Sequence, residues 1–163
     1  MESRPIADKT ALIIAYGLGS GLLPKAPGTW GSIAALLPGY YILVVMGPLP
    51  LLLASGGLFF IGIWAADAHA RIHNTHDAGQ VVVDEFVGQW LAMIPLAYIT
   101  LGRGGLIDVL VAFAAFRFFD VIKPWPINYL DDKMKGGLGV MADDVLAGVF
   151  AALSLVGMVW VLP

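Results

Sequence analysis

The stretch Val81-Val82-Val83-Asp84-Glu85-Phe86-Val87-Gly88-Gln89-Trp90 places two adjacent carboxylates where a long apolar run begins. Residues 86–101 carry no charge, so the run predicts a membrane helix with Asp84 and Glu85 at its entrance. Neighbouring, partly desolvated carboxylates repel each other and take up a proton unless a cation keeps them ionised. A bound divalent metal ion would do this, whereas simple capping of the helix explains the pair without any ligand. The pair alone leaves both interpretations open.

The composition of the chain is that of a membrane protein. Of its 163 residues, 59% are hydrophobic and 13% are charged, whereas soluble domains contain about 25% charged residues. Twelve acidic residues against nine basic ones give a formal charge of -3, so there is no basic surface for nucleic acid. With no cysteine in the chain, disulfides and thiol chemistry are excluded, and His, Asp and Glu remain as metal ligands.

Five apolar runs predict an all-α, polytopic membrane helical bundle that forms a single domain over residues 1–163. The runs cover residues 33–46, 49–66, 86–101, 106–119 and 145–163. The third and fourth are shorter than the roughly 20 residues that cross a bilayer core, so flanking polar residues are expected to extend them. Their shortness leaves a soluble helical bundle as a second interpretation. Before the first run, residues 1–20 predict a short N-terminal interfacial helix rather than a cleaved signal peptide.

Residues 22–32 precede the first run and contain two prolines and several glycines, which argue against a regular helix there. Lys25, Thr29 and Ser32 offer one cation and two hydroxyls, a set that suits a loop around an anion. The alternative is a plain turn before a helix that Ser32 caps.

Charged residues also mark the end of the fourth run and the start of the fifth. Arg117, Asp120 and Lys123 recur every three residues, which places them near one helical face before Pro124. The following loop, residues 127–142, contains a glycine-rich segment at 136–139 that either binds phosphate through its backbone or simply provides flexibility. Asp143 and Asp144 then place a second acidic pair at a helix entrance.

The three histidines, His69, His73 and His76, suggest a zinc site, but they lack the carboxylate pattern of catalytic zinc motifs. Solvated interfacial histidines are the alternative. The pair His76-Asp77 lies nearer to Asp84 and is retained as a lesser candidate for the site.

If the runs cross the membrane in alternation, all these polar motifs lie on one side of it. That side holds eight basic residues, against Arg103 alone on the other: Arg4, Lys9, Lys25, Arg71, Arg117, Lys123, Lys133 and Lys135. By the positive-inside rule it is cytoplasmic.

Two glycines predict how the acidic pairs meet. Gly88 follows Asp84, and Gly148 follows Asp144, by one helical turn. Close approach of the third and fifth helices at these glycines would bring the carboxylates together.

Gathered carboxylates favour Mg²⁺ over softer metals, and neighbouring Arg and Lys side chains would bind phosphate oxygens. Phosphate-ester hydrolysis needs this combination to stabilise charge on the reacting oxygens and to activate water. At headgroup depth, a lipid phosphate monoester is the natural substrate. The alternative is a membrane transporter or ion-coupled carrier that uses the same carboxylates. The acids lie at helix ends, however, and only Asp108 approaches the far half of a helix.

In order along the chain, these motifs resemble the phosphatidylglycerophosphatase A family. The resemblance rests on residues 19–21, 27–32, 76–88, 116–127 and 136–148, which read GSG, PGTWGS, HDAGQVVVDEFVG, FRFFDVIKPWPI and GGLGVMADDVLAG. It implies a multi-pass protein of the bacterial inner membrane, a Mg²⁺-dependent phosphatase with its active site facing the cytoplasm. Such an enzyme removes the terminal phosphate of phosphatidylglycerophosphate to give phosphatidylglycerol.

These considerations lead to an expected role for each candidate residue. The metal ligands would be Asp84, Asp120, Asp143 and Asp144. Glu85, beside Asp84, would position or deprotonate the attacking water. Phosphate would be bound by Arg117 and Lys123, with Thr29 and Ser32 as further donors, and the lesser candidates are Lys25, His76 and Asp77. Neither a cysteine nucleophile nor a Ser-His-Asp triad is evident, so direct attack by water is favoured over a covalent aspartyl-phosphate.

Overall fold

A computed structural model describes residues 5–75, 79–99 and 105–161, and every regular element within them is helical. The α-helices are α1 (Ile6–Ala15), α2 (Pro27–Val45), α3 (Pro48–His73), α4 (Val83–Met93), α5 (Leu106–Ile122), α6 (Ile127–Lys133) and α7 (Gly136–Val161). Short 3₁₀ segments follow α1 at Gly17–Leu22 and α4 at Ile94–Ala97. The all-α prediction is confirmed, whereas the single domain over residues 1–163 stays a prediction.

In the described part of the chain, three helices are long and apolar enough to cross a membrane: α2, α3 and α7. The expected count of about five is not confirmed, because α4 has 11 residues and α5 has 17. Within the run 86–101, Pro95 lacks the N–H that would continue the helical ladder, and the backbone changes to a 3₁₀ segment at Ile94.

The surfaces of the three long helices fit lipid better than water. Only 28% of the most apolar window of each helix is buried, so most of its side chains face outward. Large apolar residues such as Phe60, Leu53 and Trp160 are exposed. This argues against a soluble bundle, which would hide these faces.

Helix α4 forms the centre of the bundle, although it is too short to cross a membrane. Nine of its eleven residues are buried, and it packs against α2, α3, α5 and α7. Trp90 donates its indole N–H to the Ala35 carbonyl of α2 at 2.9 Å. The Val82 N–H, just before α4, donates to the Ala15 carbonyl at the end of α1 at 2.8 Å. Helix α4 is therefore held near its start by the end of α1 and near its end by α2.

The close approach predicted at Gly88 and Gly148 is confirmed where α4 crosses α7. A Cβ atom on Gly88 would lie 2.6 Å from the Asp144 carbonyl oxygen and would overlap the Phe116 ring. A Cβ atom on Gly148 would overlap the Gly88 carbonyl oxygen and lie 2.9 Å from its Cα atom. Only hydrogen fits at either position, so the two backbones are in contact.

Two local predictions near helix starts are wrong. Helix α7 begins at Gly136, so residues 136–139 form its first turn rather than a loop, and Asp143 and Asp144 lie about two turns inside it. The Gly137 N–H donates to the Asp67 carboxylate of α3 at 2.6 Å, and a Cβ atom there would overlap the Ile63 carbonyl oxygen. These glycines serve helix capping and close packing, for which the spacing gave no signal.

The expectation for residues 22–32 is also corrected. Helix α2 starts at Pro27, because proline is tolerated in the first turn, where its missing N–H has no helical partner. Ser32 therefore lies in the second turn and does not cap the helix. The predicted N-terminal helix is present as α1, which packs on α3 and pairs Asp8 with Arg71 at 3.0 Å. Its interfacial position stays a prediction.

The contact between Gly88 and Gly148 yields a stability prediction. We expect Gly148→Ala to destabilise the protein by about 1–3 kcal/mol, because the added methyl forces apart two backbones in contact. Thermal unfolding in detergent would measure the change.

Gly157→Ala is the matched control on the same helix, because a Cβ atom there meets no atom of the described residues. Equal melting temperatures for the two variants would contradict the assigned role of the crossing.

Candidate active site

The two acidic pairs and the charged end of α5 meet at one end of the bundle, as the alternating topology predicted. Asp84 and Glu85 lie in the first turn of α4, and Asp143 and Asp144 face them from α7 across the glycine contact. Arg117 and Asp120 project from the last turns of α5, and Ser32 comes from α2. Four separate stretches of sequence therefore contribute to one cluster.

Arg117 and Glu85 form the central ion pair of this cluster. Arg117 Nη1 lies 2.5 Å from Glu85 Oε2 and 2.8 Å from Asp120 Oδ2. Ser32 Oγ lies 2.8 Å from Glu85 Oε2 and 2.9 Å from the Gly28 carbonyl oxygen, so its single hydrogen can be donated to only one of them at a time. Arg117 in turn donates to Ser32 Oγ at 3.3 Å. Glu85 is thus fixed from α2 and from α5.

Gly28 lets α2 approach this ion pair closely. A Cβ atom on Gly28 would overlap Glu85 Oε1 and would lie 3.3 Å from Arg117 Nη1. Gly28 and Ser32 are four residues apart, so one face of the first turns of α2 covers the carboxylate. Gly28 was not predicted as a site residue, although its spacing from Ser32 was a signal for it.

Glu85, Asp120 and Asp144 form a potential cation site. Each offers one carboxylate oxygen, and these oxygens lie within 4.8 Å of one another. Asp144 is 3% exposed, and its Oδ2 has no hydrogen-bond partner among the described residues. A buried, unpaired carboxylate oxygen is costly, and an all-oxygen set suits a hard divalent cation. Of the three, Glu85 was expected as a base rather than as a ligand.

Asp84 and Asp143 stand beside this trio, with Lys123 next to them. Lys123 Nζ lies 2.6 Å from Asp143 Oδ2 and 3.0 Å from Asp131 Oδ2. The second Asp143 oxygen, Oδ1, is buried and unpartnered within the described chain. A cavity of about 190 Å³ opens here, bounded also by His69 of α3.

The surroundings shift the proton affinities of these groups. Burial raises the pKa of Asp84 well above its usual value, and the charges of Glu85 and Asp143 raise it further. Burial also raises the pKa of Glu85 to about 7, with Asp120 adding to the effect and Arg117 opposing it. Burial alone would lower the pKa of Arg117, but Glu85 and Asp120 outweigh it, so the net pKa is raised and the guanidinium stays charged. The carboxylates therefore need a further positive charge to stay ionised together.

Other predicted site residues lie at the margin of the cluster or outside it. Thr29 is half-buried in the first turn of α2, and Lys25 is exposed and forms no ion pair with any described residue. His76 and Asp77 lie outside the described residues. The rings of His69 and His73 stack with their centroids 4.3 Å apart. Among the described residues, the side chains that group as potential metal ligands are those of the acidic trio, which includes no histidine. Zinc therefore has no support there.

Gln89 is a further residue that the sequence analysis missed. It lies one turn after Glu85 on the same face of α4, it is fully buried, and both of its amide atoms lack partners within the described chain. An amide inside an otherwise apolar run was the available signal. A buried amide of this kind needs a water molecule or a ligand atom to bond.

The fold and the site together define the class of protein, an all-helical protein of membrane type with a buried polar site. Three helices able to cross a membrane surround this acid-rich site, which also contains two cations and is suited to a divalent metal ion and a phosphate group.

Comparison with known proteins gives the family. The model of the family described as Phosphatidylglycerophosphatase A matches residues 13–159. Proteins named phosphatidylglycerophosphatase A from Haemophilus influenzae and Escherichia coli are each 37% identical to the chain, over 93% and 91% of it and over 93% and 84% of their own lengths. The chain belongs to the phosphatidylglycerophosphatase A family, which confirms the resemblance seen in its sequence.

A third relative has a different name. A Bacteroides thetaiotaomicron protein named as a putative phosphatidylinositol-3-phosphatase is also 37% identical, over 93% of this chain and 94% of its own length. No solved structure matches the chain.

The central ion pair yields a second stability prediction. We expect Arg117→Met to cost about 3–5 kcal/mol, because it leaves Glu85 buried without its cation, and we expect Glu85→Gln in the same chain to recover part of that loss. Thermal unfolding in detergent with a metal chelator would measure both variants.

Arg71→Met is the control, because it breaks the more exposed pair with Asp8 and should cost about 1 kcal/mol or less. If the stability losses of Arg117→Met and Glu85→Gln simply add in the double variant, the two side chains are not coupled.

Proposed function

We propose that the protein hydrolyses the terminal phosphate monoester of phosphatidylglycerophosphate and releases phosphatidylglycerol and inorganic phosphate. The proposal rests on the family, on the names of the relatives from H. influenzae and E. coli, and on a site in which buried carboxylates and two cations converge. The observation that carries it is the buried Asp144 oxygen beside Glu85 and Asp120, which has no partner among the described residues and lies inside a bundle of helices able to cross a membrane.

Mg²⁺ is the cofactor that these oxygen donors fit. Glu85, Asp120 and Asp144 would hold it, and Asp84 and Asp143 complete the negative surroundings that attract it. When bound, the ion supplies Lewis-acid stabilisation of phosphate oxygens and lowers the pKa of water. The charges of the described residues support this choice, because five clustered carboxylates there face two cations, Arg117 and Lys123.

Arg117 and Lys123 would bind the substrate phosphate. Arg117 uses one nitrogen, Nη1, for its contacts with Glu85, Asp120 and Ser32, which leaves its other N–H groups for phosphate oxygens. Lys123 contacts two carboxylates and has a third N–H donor. Both cations are thus oriented by their carboxylate partners before substrate arrives. Thr29 is a further donor in the proposal.

Asp84 is better placed than Glu85 to deprotonate the attacking water. Glu85 Oε2 already accepts hydrogen bonds from Arg117 and Ser32, and Glu85 belongs to the trio that would hold the ion. Asp84 lines the open cavity, and its Oδ1 accepts the Glu85 N–H at 3.0 Å, the one hydrogen bond seen for it among the described residues. Water then attacks phosphorus, the bond to the glycerol oxygen breaks, and that oxygen takes up a proton.

We further propose that the protein resides in the bacterial inner membrane with this site on the cytoplasmic side. The positive-inside rule supports that orientation, because eight of the nine basic residues fall on the site side if the predicted runs alternate. The relatives named above are bacterial proteins.

The central prediction concerns metal-dependent phosphate release. We expect the purified protein to release phosphate from phosphatidylglycerophosphate with Mg²⁺ and not with a chelator. Asp144→Asn and Asp84→Asn should each lower the rate about 100-fold or more, because they remove a proposed ligand and the proposed base.

Asp132→Asn is the matched control, since Asp132 is exposed on α6. Stabilisation of the fold by Mg²⁺ in thermal unfolding provides a readout that does not depend on turnover. Wild-type rates and full Mg²⁺ stabilisation in Asp144→Asn would refute the assignment.

A second prediction concerns the headgroup. We expect phosphatidylglycerophosphate to be hydrolysed about tenfold or more faster than phosphatidic acid or phosphatidylinositol 3-phosphate, measured as kcat/KM in mixed micelles. The cavity beside Asp84 has room for more than a bare phosphate, and a difference of about 1.4 kcal/mol in transition-state binding gives this ratio. Fastest turnover of phosphatidylinositol 3-phosphate would instead favour the activity for which the B. thetaiotaomicron relative is named.

A further inference from the structure

A second cavity lies beyond the acidic site, between α3, α4 and α7. It is a groove of about 210 Å³ whose wall is formed by Ser55, Gly56 and Phe59 of α3, Val87 and Leu91 of α4, and Val145 of α7. The Ser55 hydroxyl donates to the Leu51 carbonyl of its own helix at 2.8 Å, so it presents no free polar group. The groove is therefore apolar throughout and is suited to hydrocarbon.

The groove and the acidic cavity are separate openings, and no described residue lines both. The acidic cavity is bounded by the same three helices, through His69 of α3, Asp84 of α4 and Asp143 of α7. Val87 follows Asp84 by three residues, about 4.5 Å along α4, and Val145 directly follows Asp144. A molecule with a polar end among the carboxylates would therefore have its apolar part at the level of the groove.

The position of the groove also determines what surrounds it. Two of its walls, α3 and α7, are candidate membrane-spanning helices, and residues such as Leu52 and Gly56 are exposed on its α3 side. Hydrocarbon outside a membrane protein is as apolar as the groove, so occupancy brings little hydrophobic gain over the bilayer. What a fitted groove provides is orientation of the bound molecule relative to the reacting groups.

We propose that this groove binds one acyl chain of the phospholipid substrate and so positions the phosphate at the carboxylates. The inference rests on the proposed function, since it identifies the lipid as the molecule that the site acts on. Another apolar cavity borders Phe86 and Trp90 on the other side of α4, but Gly17 and Leu18 of the 3₁₀ segment form part of its wall. The α3–α4–α7 groove is the one aligned with the acidic cavity.

Two adjacent glycines of α3 provide a matched test. Gly56 lines the groove and Gly57 does not, yet both are exposed and a Cβ atom on either meets no atom of the described residues. Leucine at position 56 would fill the groove, whereas leucine at position 57 would not. Both variants should fold, because both positions are exposed on the outer face of α3 and leave room for a side chain to start.

The measurement is kcat/KM for two phosphatidylglycerophosphates in detergent, one with C18 chains and one with C6 chains too short to fill the groove. We expect Gly56→Leu to lower the value about tenfold for the C18 lipid and less than twofold for the C6 lipid. Gly57→Leu should change neither value. An unchanged C18 value in Gly56→Leu, or an equal fall for both lipids, would overturn the proposal.

A labelling experiment separates failure of the groove from failure of the proposed activity. In chelator, a phosphatidylglycerophosphate with a photoreactive diazirine in one acyl chain should label residues 52–59, and Gly56→Leu should reduce this labelling about tenfold. Excess unlabelled phosphatidylglycerophosphate should compete, and phosphatidylcholine should not.

Labelling with this pattern supports the groove even if the wild type hydrolyses neither lipid, a result that would refute the proposed activity alone. Equal competition by phosphatidylcholine would assign the groove to bulk lipid and would overturn the inference.

Discussion

The contact between Gly88 and Gly148 is the constraint on which the site depends. Because neither residue has a side chain, α4 and α7 meet backbone to backbone, and Asp84, Glu85, Asp143 and Asp144 stand one turn away on facing helices. A larger residue at either position would separate the acidic pairs. The short central helix is thereby surrounded on all sides, which explains how a glutamate and a glutamine come to be buried among membrane helices.

The electrostatics follow from this geometry. Each carboxylate that leaves water costs several kcal/mol, and like charges nearby increase that cost. The two cations offset part of it, each by contacting two carboxylates. The remaining negative charge and the oxygens of Asp143 and Asp144 that lack partners among the described residues make the site suited to a divalent ion. The same arrangement holds Arg117 and Lys123 in fixed positions, so these two side chains need little further ordering when a phosphate binds.

Much of this organisation could be predicted from the sequence, because it depends on pattern. The all-helical class followed from apolar runs, the meeting of the acidic pairs from alternation and from two glycines, and the shared helical face of Arg117 and Asp120 from their spacing. The number of spanning helices is not confirmed, because hydropathy alone does not show that regular α-helix ends before Pro95. The start of α7 was missed because its cap, Asp67, lies 70 residues earlier in the chain. The contact of Gly28 with Glu85 and the burial of Gln89 depend on tertiary packing, which no local pattern encodes.

The bond between Asp67 and Gly137 has a mechanical consequence. It fastens α3 to α7 at the end of the bundle where the carboxylates lie, whereas the apolar groove separates the same two helices farther along. Separating α3 from α7 at the charged end would break this hydrogen bond as well as packing, whereas at the groove no hydrogen bond between described residues joins the two helices.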